Sequence, residues 1–271
     1  IISKGMITRY ILPFLSKAKR GYVAKVPLWE IVNAILYKFR SGIQWELLPC
    51  KSLIRSDKLK YGAIYHHFNK WSKDGSWKRA WTNLLKRFKH MLDLSLGAID
   101  GTHTLAKRGG QKVSYQSRKK GKTSNTLWLT DRQGNVVGFL PPLAGNHNDL
   151  YELDQRLDEL VKTLGQSGIS VDGLFINADG GFESKAFRRA CERHGIILNC
   201  PHNKRNTKGL TDDCPFFDEL MYEERFVVER TNAWMDAFRS FLLRFDTSIS
   251  SWTAWHYLFA ILSWLKQIEK V

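Results

Sequence analysis

Acidic residues are scarce at the beginning of this 271-residue sequence. The first 90 residues contain 4 acidic and 19 basic side chains, whereas the rest of the chain is nearly balanced, with 22 acidic and 23 basic. Almost all of the net charge of +16 therefore lies in the first third of the chain. Such a concentration of positive charge indicates a polyanionic partner, either nucleic acid or an anionic membrane surface.

Cysteine is also scarce. The four cysteines, at positions 50, 191, 200 and 214, are too few and too scattered for a disulfide-rich secreted protein, so we expect a reducing, intracellular environment. A zinc set drawn from Cys191, His194, Cys200 and His202 has C-x2-H and C-x-H spacing, which fits no standard zinc motif. We therefore do not predict a zinc site.

A long hydrophobic run is missing. The most apolar segment, Trp252–Leu265, has 14 residues and contains His256, which falls short of the roughly 20 residues that span a bilayer. The chain opens at Ile1 without a secretory signal or a Met, so we expect a missing preceding segment. Hydrophobic residues amount to 43%, enough for a packed core, so general disorder is excluded and we expect a soluble protein without a membrane partner.

The pattern of hydrophobic residues changes near residue 92. Before that point, apolar residues at helical spacing predict a small bundle, whose first helix begins after Pro27 and ends at Gly42. After it, short apolar runs alternate with helices in the order βββαβαβαα, which is typical of a mixed sheet covered by helices. We predict an α/β fold with a basic all-α domain over residues 1–92 and a mixed-sheet domain over residues 93–271. The predicted strands are 94–100, 127–130, 136–140, 174–179 and 196–200, and the later helices are 61–72, 76–91, 149–164, 183–194, 225–245 and 252–268.

Two aspartates end predicted apolar strands and are followed by glycine. Asp100 precedes Gly101, and Asp179 precedes Gly180. An acid where a buried strand meets a glycine turn is held by the sheet but open to a cleft, and two such acids on neighbouring strands would lie close together. Like charges that close need a cation to stay ionised, and hard oxygen ligands suit Mg²⁺ or Mn²⁺. A capping role without metal is the alternative for either aspartate alone.

A third acid, Glu229, lies in the predicted helix over residues 225–245. Polar residues recur in that helix at steps of four, three, four and three, which places them on one face. Taken alone, this face is interpreted as solvated, with an ion pair between Arg225 and Glu229. The members of the face are Arg225, Glu229, Asn232, Asp236 and Arg239.

Four motifs follow one another along the chain. They are the segment Leu36–Pro49, Asp100 within Ala-Ile-Asp-Gly-Thr, Asp179 within Ala-Asp-Gly-Gly-Phe, and a Tyr-x2-Arg-x3-Glu signature that ends at Glu229. In this order and spacing they resemble the helical domain and the three acids of bacterial insertion-sequence transposases of the DDE type, in the family-five group. The resemblance covers roughly residues 25 to 268.

The resemblance implies an RNase H-like catalytic domain after a helix-turn-helix-like DNA-binding domain. It implies that Asp100, Asp179 and Glu229 are catalytic and hold two Mg²⁺ (or Mn²⁺) ions, with no organic cofactor. The activity implied is cleavage of insertion-sequence ends and joining of the 3′-hydroxyl to target DNA by two-metal phosphoryl transfer. The partners implied are double-stranded DNA, as transposon ends and target, and a second copy of the chain in a synaptic complex, in the bacterial cytoplasm at the nucleoid.

A basic segment, Lys107–Lys122, follows the predicted strand that carries the first acid. It carries seven basic residues and no acidic one, so we expect it to contact DNA phosphates near the scissile bond. In the family resembled, a Lys or Arg seven residues after the third acid touches phosphate, but this chain has Asp236 there, and Arg239, one turn further along the predicted helix, is expected to substitute. The predicted DNA-contacting residues are Lys107, Arg108, Lys112, Arg118, Lys119, Lys120, Lys122, Arg225 and Arg239.

Two other functions stay open on the sequence. One is a domesticated or inactive transposase-derived DNA-binding protein, which Asp236 weakly favours. The other is an RNase H-type nuclease or resolvase, which shares the acids but not the N-terminal domain. His103, and His147 with Asp149, are weaker candidates for the rim of the site, with a structural turn role as their alternative.

Overall fold

The computed structural model describes residues 2–17, 24, 26–55, 59–202 and 216–269. Within these ranges, no helix is both long enough and apolar enough to cross a membrane. In chain order the elements are α1 (Lys4–Tyr10), α2 (Leu28–Ser41), α3 (Cys50–Leu53), α4 (Tyr61–Lys73), α5 (Ser76–Phe88), β1 (Leu96–Ala106), β2 (Ser114–Gln116), β3 (Gly121–Asp131), β4 (Val136–Phe139), β5 (Leu143–Ala144), α6 (Leu153–Gln166), β6 (Phe175–Asn177), α7 (Lys185–Arg193), β7 (Ile197–Asn199), α8 (Glu219–Glu223), α9 (Phe226–Asp236), α10 (Arg239–Leu242), β8 (Leu243–Arg244) and α11 (Ile249–Ile268).

The chain divides into two compact units. The first comprises Ile1–Leu84, Thr104–Gln111 and Met235–Val271, and the second comprises Leu85–His103 and Lys112–Trp234. Each unit is therefore assembled from segments that are distant in the sequence. The functional division predicted at residue 92 stays a prediction.

The first unit is mainly helical and has an aromatic core. Phe39 of α2 and Phe68 of α4 both stack on Trp255 of α11, with ring centroids 5.2 and 4.1 Å apart. Helix α2 ends where the sequence predicts, because Gly42 adopts a φ of +69° and its N–H bonds to the Lys38 carbonyl. These contacts join the beginning of the chain to its last helix.

Helix α1 is an element that the sequence pattern did not predict. Its first turn is capped by the Ser3 hydroxyl, which accepts a hydrogen bond from the Met6 N–H at 3.2 Å. Ile7 and Tyr10 are its buried residues. Two buried positions in seven residues are too few to give a recognisable helical period.

The second unit is built on a mixed sheet. Strand β6 pairs in parallel with the central strand β1, and β7 pairs in parallel with β6. On the other side of β1 lies β3, which forms an antiparallel hairpin with β4, as both strands were predicted, and which also pairs with the unpredicted strands β2 and β5. A hairpin on one side of the central strand and parallel strands on the other confirm the α/β class and the RNase H-like mixed sheet.

The predicted helix over residues 225–245 is wrong. Helix α9 ends at Asp236, and Phe238 leaves the helical conformation with φ −97° and ψ 97° before α10 begins. Strand β8 then pairs in parallel with the end of β1, with Leu105 opposite Leu243. Sheet pairing requires an extended backbone, so a helix cannot continue through this segment whatever the helical propensity of its residues.

Candidate active site

Asp100 lies within β1 rather than at its end, because the strand continues to Ala106. The strand is buried up to Ile99 and partly exposed from Asp100 to His103, so the acid stands at the edge of the core. Its Oδ1 accepts a hydrogen bond from the Gly101 N–H at 2.9 Å, and its Oδ2 accepts one from Nδ2 of Asn232 at 3.0 Å. Both ends of the carboxylate are therefore fixed.

The charges around Asp100 oppose one another. Burial raises the pKa of the Asp100 carboxyl, and the negative charges of Asp179 and Asp149 raise it further. The Gly101 hydrogen bond and the positive charge of Arg225 lower this pKa without cancelling the effect of burial. Two carboxylates and one guanidinium thus act on the charge of Asp100.

Asp179 stands beside Asp100 because of the strand register. Ala98 of β1 is opposite Asn177 of β6, and each aspartate lies two residues beyond its member of that pair. The Asp179 side chain caps the following 3₁₀ turn, with Oδ1 accepting a hydrogen bond from the Gly181 N–H at 2.7 Å. Parallel pairing thus brings the two acids to neighbouring positions.

Glu229 belongs to the first turn of α9 and is exposed. Nη2 of Arg225 donates to its Oε1 at 2.7 Å, which is the ion pair expected for a solvated face. The Arg225 guanidinium also lies 5.8 Å from the centre of the Tyr222 ring. Arg225 therefore links the Tyr-x2-Arg-x3-Glu signature to Asp100, on which its charge acts.

The donor chemistry of the three acids fits a divalent cation. All three are carboxylates, the hard oxygen ligands that Mg²⁺ and Mn²⁺ prefer. In the part of the chain that is described, however, no three Asp, Glu, His or Cys side chains stand close enough to hold one ion. Glu229 is paired instead with Arg225.

The residues considered for zinc have other surroundings. Burial raises the pKa of Cys191 and of Cys200 to about 12, so both remain neutral thiols at physiological pH. Nε2 of His194 is hydrogen-bonded to Asp158 at 2.6 Å. The Cys200 thiol donates to the main-chain oxygen of Asp179 at 2.9 Å, so this cysteine supports the position of the second acid.

The basic segment after β1 contains strand β2 and the beginning of strand β3, neither of which the sequence predicts there. In the first unit, the Gln111 N–H donates to the Thr247 carbonyl and Nη2 of Arg244 donates to the Gln111 carbonyl, both at 2.9 Å. In the second unit, β2 and β3 form a hairpin whose tip holds Lys119, with its N–H bonded to Oε1 of Gln116 at 2.6 Å. The predicted DNA-contacting residues Lys107 and Arg108 lie in the first unit, and Lys112, Arg118, Lys119, Lys120 and Lys122 lie in the second.

His103 lies on β1 within the electrostatic influence of the hairpin tip. Burial lowers the pKa of its imidazole, the charge of Asp149 opposes this, and the charges of Arg118 and Lys119 lower the pKa further. Nδ1 of His103 also lies 3.2 Å from Oγ1 of Thr123 in β3. The tip cations therefore act on a residue three positions after Asp100.

Sequence reasoning missed the role of Asn232 and named Asp149 only as a weaker candidate beside His147. Asn232 was one member of a polar face, yet it contacts Asp100 directly, and its position three residues after Glu229 was the available signal. Asp149 packs against Gly101, where an added Cβ would meet its Oδ1 at 2.6 Å, and it accepts a hydrogen bond from Nδ2 of Asn125 at 2.5 Å. Both residues touch the segment that carries the first acid.

Arg239 is placed differently from the expectation, whereas His147 follows one of its two alternatives. Arg239 begins α10, after the interruption at Phe238, so it does not continue the helical face of Glu229. The His147 ring stacks on the Tyr151 ring at 3.7 Å between centroids, which supports the structural alternative for this histidine.

Some solved structures resemble the chain at low identity. The piggyBac transposase synaptic complex with hairpin DNA is 10% identical, covers 96% of this chain and 70% of its own, and has a TM-score of 0.48. The Mos1 transposase paired-end complex is 14% identical over 93% of this chain and 82% of its own, with a TM-score of 0.31. The intasome of simian T-cell lymphotropic virus is 18% identical over 52% and 38%, with a TM-score of 0.31. TM-scores below 0.5 give these likenesses no weight for function.

Family profiles match both parts of the sequence. No curated protein matches the chain. A profile described as "Putative transposase of IS4/5 family" matches residues 8–81, and one described as "Transposase DDE domain" matches residues 92–264, which is more than half of the chain. The second match includes all three acids of the site. The chain belongs to the family of transposase DDE domains.

Proposed function

We propose that this transposase binds the ends of an insertion element, cleaves the DNA there and joins the freed 3′-hydroxyl to target DNA by phosphoryl transfer. One observation carries the proposal. Asp100 and Asp179 lie at matching positions of neighbouring parallel strands, beside the signature segment that ends at Glu229. The retention of all three acids does not favour an inactive, purely DNA-binding descendant.

Asp100, Asp179 and Glu229 are the proposed ligands of two divalent cations, Mg²⁺ or Mn²⁺. Such ions supply an activated water or 3′-hydroxyl and stabilise the leaving oxygen. The protein holds Asp100 through both carboxylate oxygens. Asp179 is held because its side chain accepts a hydrogen bond from the turn that follows it. Arg225 provides the positive charge near Asp100 in the free protein, and once Glu229 turns away, its guanidinium is available to a DNA phosphate.

The proposed DNA path follows the basic residues. In the second unit, the charges of Arg118 and Lys119 act on His103. This histidine lies on β1, three residues after Asp100. This supports a role for the hairpin tip in binding phosphates near the scissile bond. Lys107, Arg108 and Arg239 of the first unit are proposed as further phosphate contacts, and residues 1–92, with most of the net charge, as the module that grips the element ends.

A second copy of the chain is the proposed protein partner, because joining two element ends to one target requires two active sites. The proposed location is the nucleoid in the bacterial cytoplasm, where both DNA substrates occur. These assignments rest on the family and on the charge distribution.

The test uses Asp100→Asn, Asp179→Asn and Glu229→Gln, which remove one charge each at nearly constant volume. The substrate is an oligonucleotide duplex that carries the inverted repeats flanking the gene. Each variant is expected to lose Mg²⁺-dependent cleavage and strand joining by at least about a thousandfold while still shifting the duplex in a gel. Loss is expected because each acid is proposed to hold a metal, whereas duplex binding depends on the basic residues.

Glu223→Gln is the matched control, since it neutralises an exposed carboxylate at the end of α8, in the same signature region. It is expected to cleave as the wild type does. Near-normal cleavage by any of the three acid variants would remove that residue from the proposed set.

A further inference from the structure

Asn232 contacts the first acid from the helix that carries the third. It lies on α9 three residues after Glu229, a spacing that places both side chains on one face of the helix. The side chain is half-buried, and its Nδ2 donates to Oδ2 of Asp100 at 3.0 Å. This hydrogen bond therefore joins the strand of the first acid to the helix of the third.

The orientation of the Asn232 amide is set by Thr102. Oγ1 of Thr102 lies 3.4 Å from Oδ1 of Asn232, where the hydroxyl donates to the amide oxygen. An asparagine side chain has an acceptor end and a donor end, and an ionised carboxylate only accepts. With the hydroxyl at the oxygen end, the NH₂ group must point to Asp100. Thr102 and Asp100 are two residues apart on one strand and so face the same side.

The two donors to Asp100 come from different parts of the fold. The Gly101 N–H belongs to β1 itself and holds Oδ1, whereas Asn232 belongs to α9 and holds Oδ2. Donors at both oxygens fix the plane of the carboxylate, and each oxygen keeps a lone pair for another partner. Of these two hydrogen bonds, only the one from Asn232 also connects the strand to α9.

Other contacts of α9 hold the helix without touching Asp100. Nη2 of Arg230 donates to the Gln133 carbonyl at 3.0 Å, and Oγ1 of Thr231 donates to the Gly134 carbonyl at 3.1 Å. Both carbonyls belong to the β3–β4 turn. Thr231, next to Asn232 in the sequence, is therefore a control for a general loss of helix packing.

We propose that Asn232 is a positioning residue, which orients the Asp100 carboxylate, joins the strand of the first acid to the helix of the third, and so sets the affinity of the acids for divalent metal. This inference rests on the proposed role of Asp100 and Glu229 as metal ligands. Partners that orient metal ligands commonly change metal affinity by roughly 10- to 100-fold when they are removed.

The experiment measures Mn²⁺ binding to the full chain without DNA, by the electron paramagnetic resonance signal of free Mn²⁺. Asn232→Leu keeps the approximate volume and removes the donor, and it is expected to weaken Mn²⁺ binding at least about tenfold. Asn232→Gln restores a donor on a longer arm and is expected to bind Mn²⁺ more tightly than Asn232→Leu. Thr231→Val is expected to bind Mn²⁺ within about twofold of the wild type, because its lost hydrogen bond does not reach Asp100.

Gel shifts with the metal-free duplex show whether each variant is folded and still binds DNA. If Asn232→Leu does not fold, Asn232→Ala replaces it with the same expectation. Unchanged Mn²⁺ affinity in the folded variant overturns the inference, and so does an equal loss in Thr231→Val, which would indicate general helix packing.

Asp100→Asn separates this inference from the proposed function. If Asp100→Asn abolishes Mn²⁺ binding while Asn232→Leu leaves it unchanged, the assignment of Asp100 as a ligand is supported and the positioning role of Asn232 is rejected. If Asp100→Asn itself binds Mn²⁺ normally, the assignment of Asp100 as a ligand falls, and the inference about Asn232 falls with it.

Discussion

The first and the third acid are held in opposite ways. Asp100 is part of a central strand, with both carboxylate oxygens hydrogen-bonded and its pKa raised by burial. Glu229 leaves 59% of its side chain exposed at the surface of α9, and its carboxylate is paired with Arg225. The fold therefore fixes one acid in advance, whereas the other can exchange its partner without disturbing the core.

Gly101→Ala is expected to disturb the strand segment that holds Asp100 in place. An added Cβ would lie 2.6 Å from Oδ1 of Asp149 and 3.0 Å from Cδ2 of Leu127, so the chain must shift around Asp100. We expect a loss of about 1–3 kcal/mol in the free energy of unfolding, measured in urea. Gly62→Ala is the control, because an added Cβ at this helical position meets nothing within 4 Å and is expected to be neutral or to stabilise by up to about 1 kcal/mol. Equal stability of the two alanine variants would show that the space beside Gly101 is not confined.

Asp100→Asn sharpens the comparison through the pH dependence of stability. Folding raises the pKa of Asp100, so the protonated carboxyl favours the folded state. This contribution to stability is complete below the pKa of the unfolded chain and is lost as the pH rises through the pKa of the folded protein. The metal-free wild type should therefore lose stability relative to Asp100→Asn between about pH 4 and neutral pH. Thermal unfolding in chelator at several pH values measures the difference in Tm, and a difference that does not widen with pH would contradict this expectation.

Glu229→Gln has the smallest expected effect on stability. Exposed ion pairs contribute little, so breaking the pair with Arg225 should change the free energy of unfolding by no more than about 0.5 kcal/mol. Urea unfolding of the metal-free protein at low and high salt measures it. A loss well above 1 kcal/mol would mean that Glu229 is held as firmly as Asp100.

The sequence was sufficient wherever one local rule decided the structure. Gly42 could be predicted to end α2 because a left-handed residue stops a helix. Asp100 and Asp179 could be predicted to neighbour each other because both follow apolar runs in a parallel-sheet pattern. In each case the deciding signal is local: a glycine directly after the helix, or an apolar run directly before each aspartate.

Three of the failures involve partners that are distant in the sequence. The helix predicted through Leu243 was interrupted because Leu105, far earlier in the chain, pairs with that segment. The hydrogen bond between Asn232 and Asp100 spans 132 residues, and no periodicity carries that information. The ordered basic hairpin likewise depends on the pairing of Tyr115 with Lys122, which its polar composition conceals.

Arg225 has a consequence for the order in which this protein is assembled. Many small metalloproteins cannot fold until their ion arrives, since nothing else neutralises the ligands. Here an arginine from the same chain already acts on Asp100 and pairs with Glu229. On the proposed role of the acids as metal ligands, the polypeptide carries an internal counter-ion for two of them, so we expect the chain to fold without metal and to become reactive only when the ion is bound.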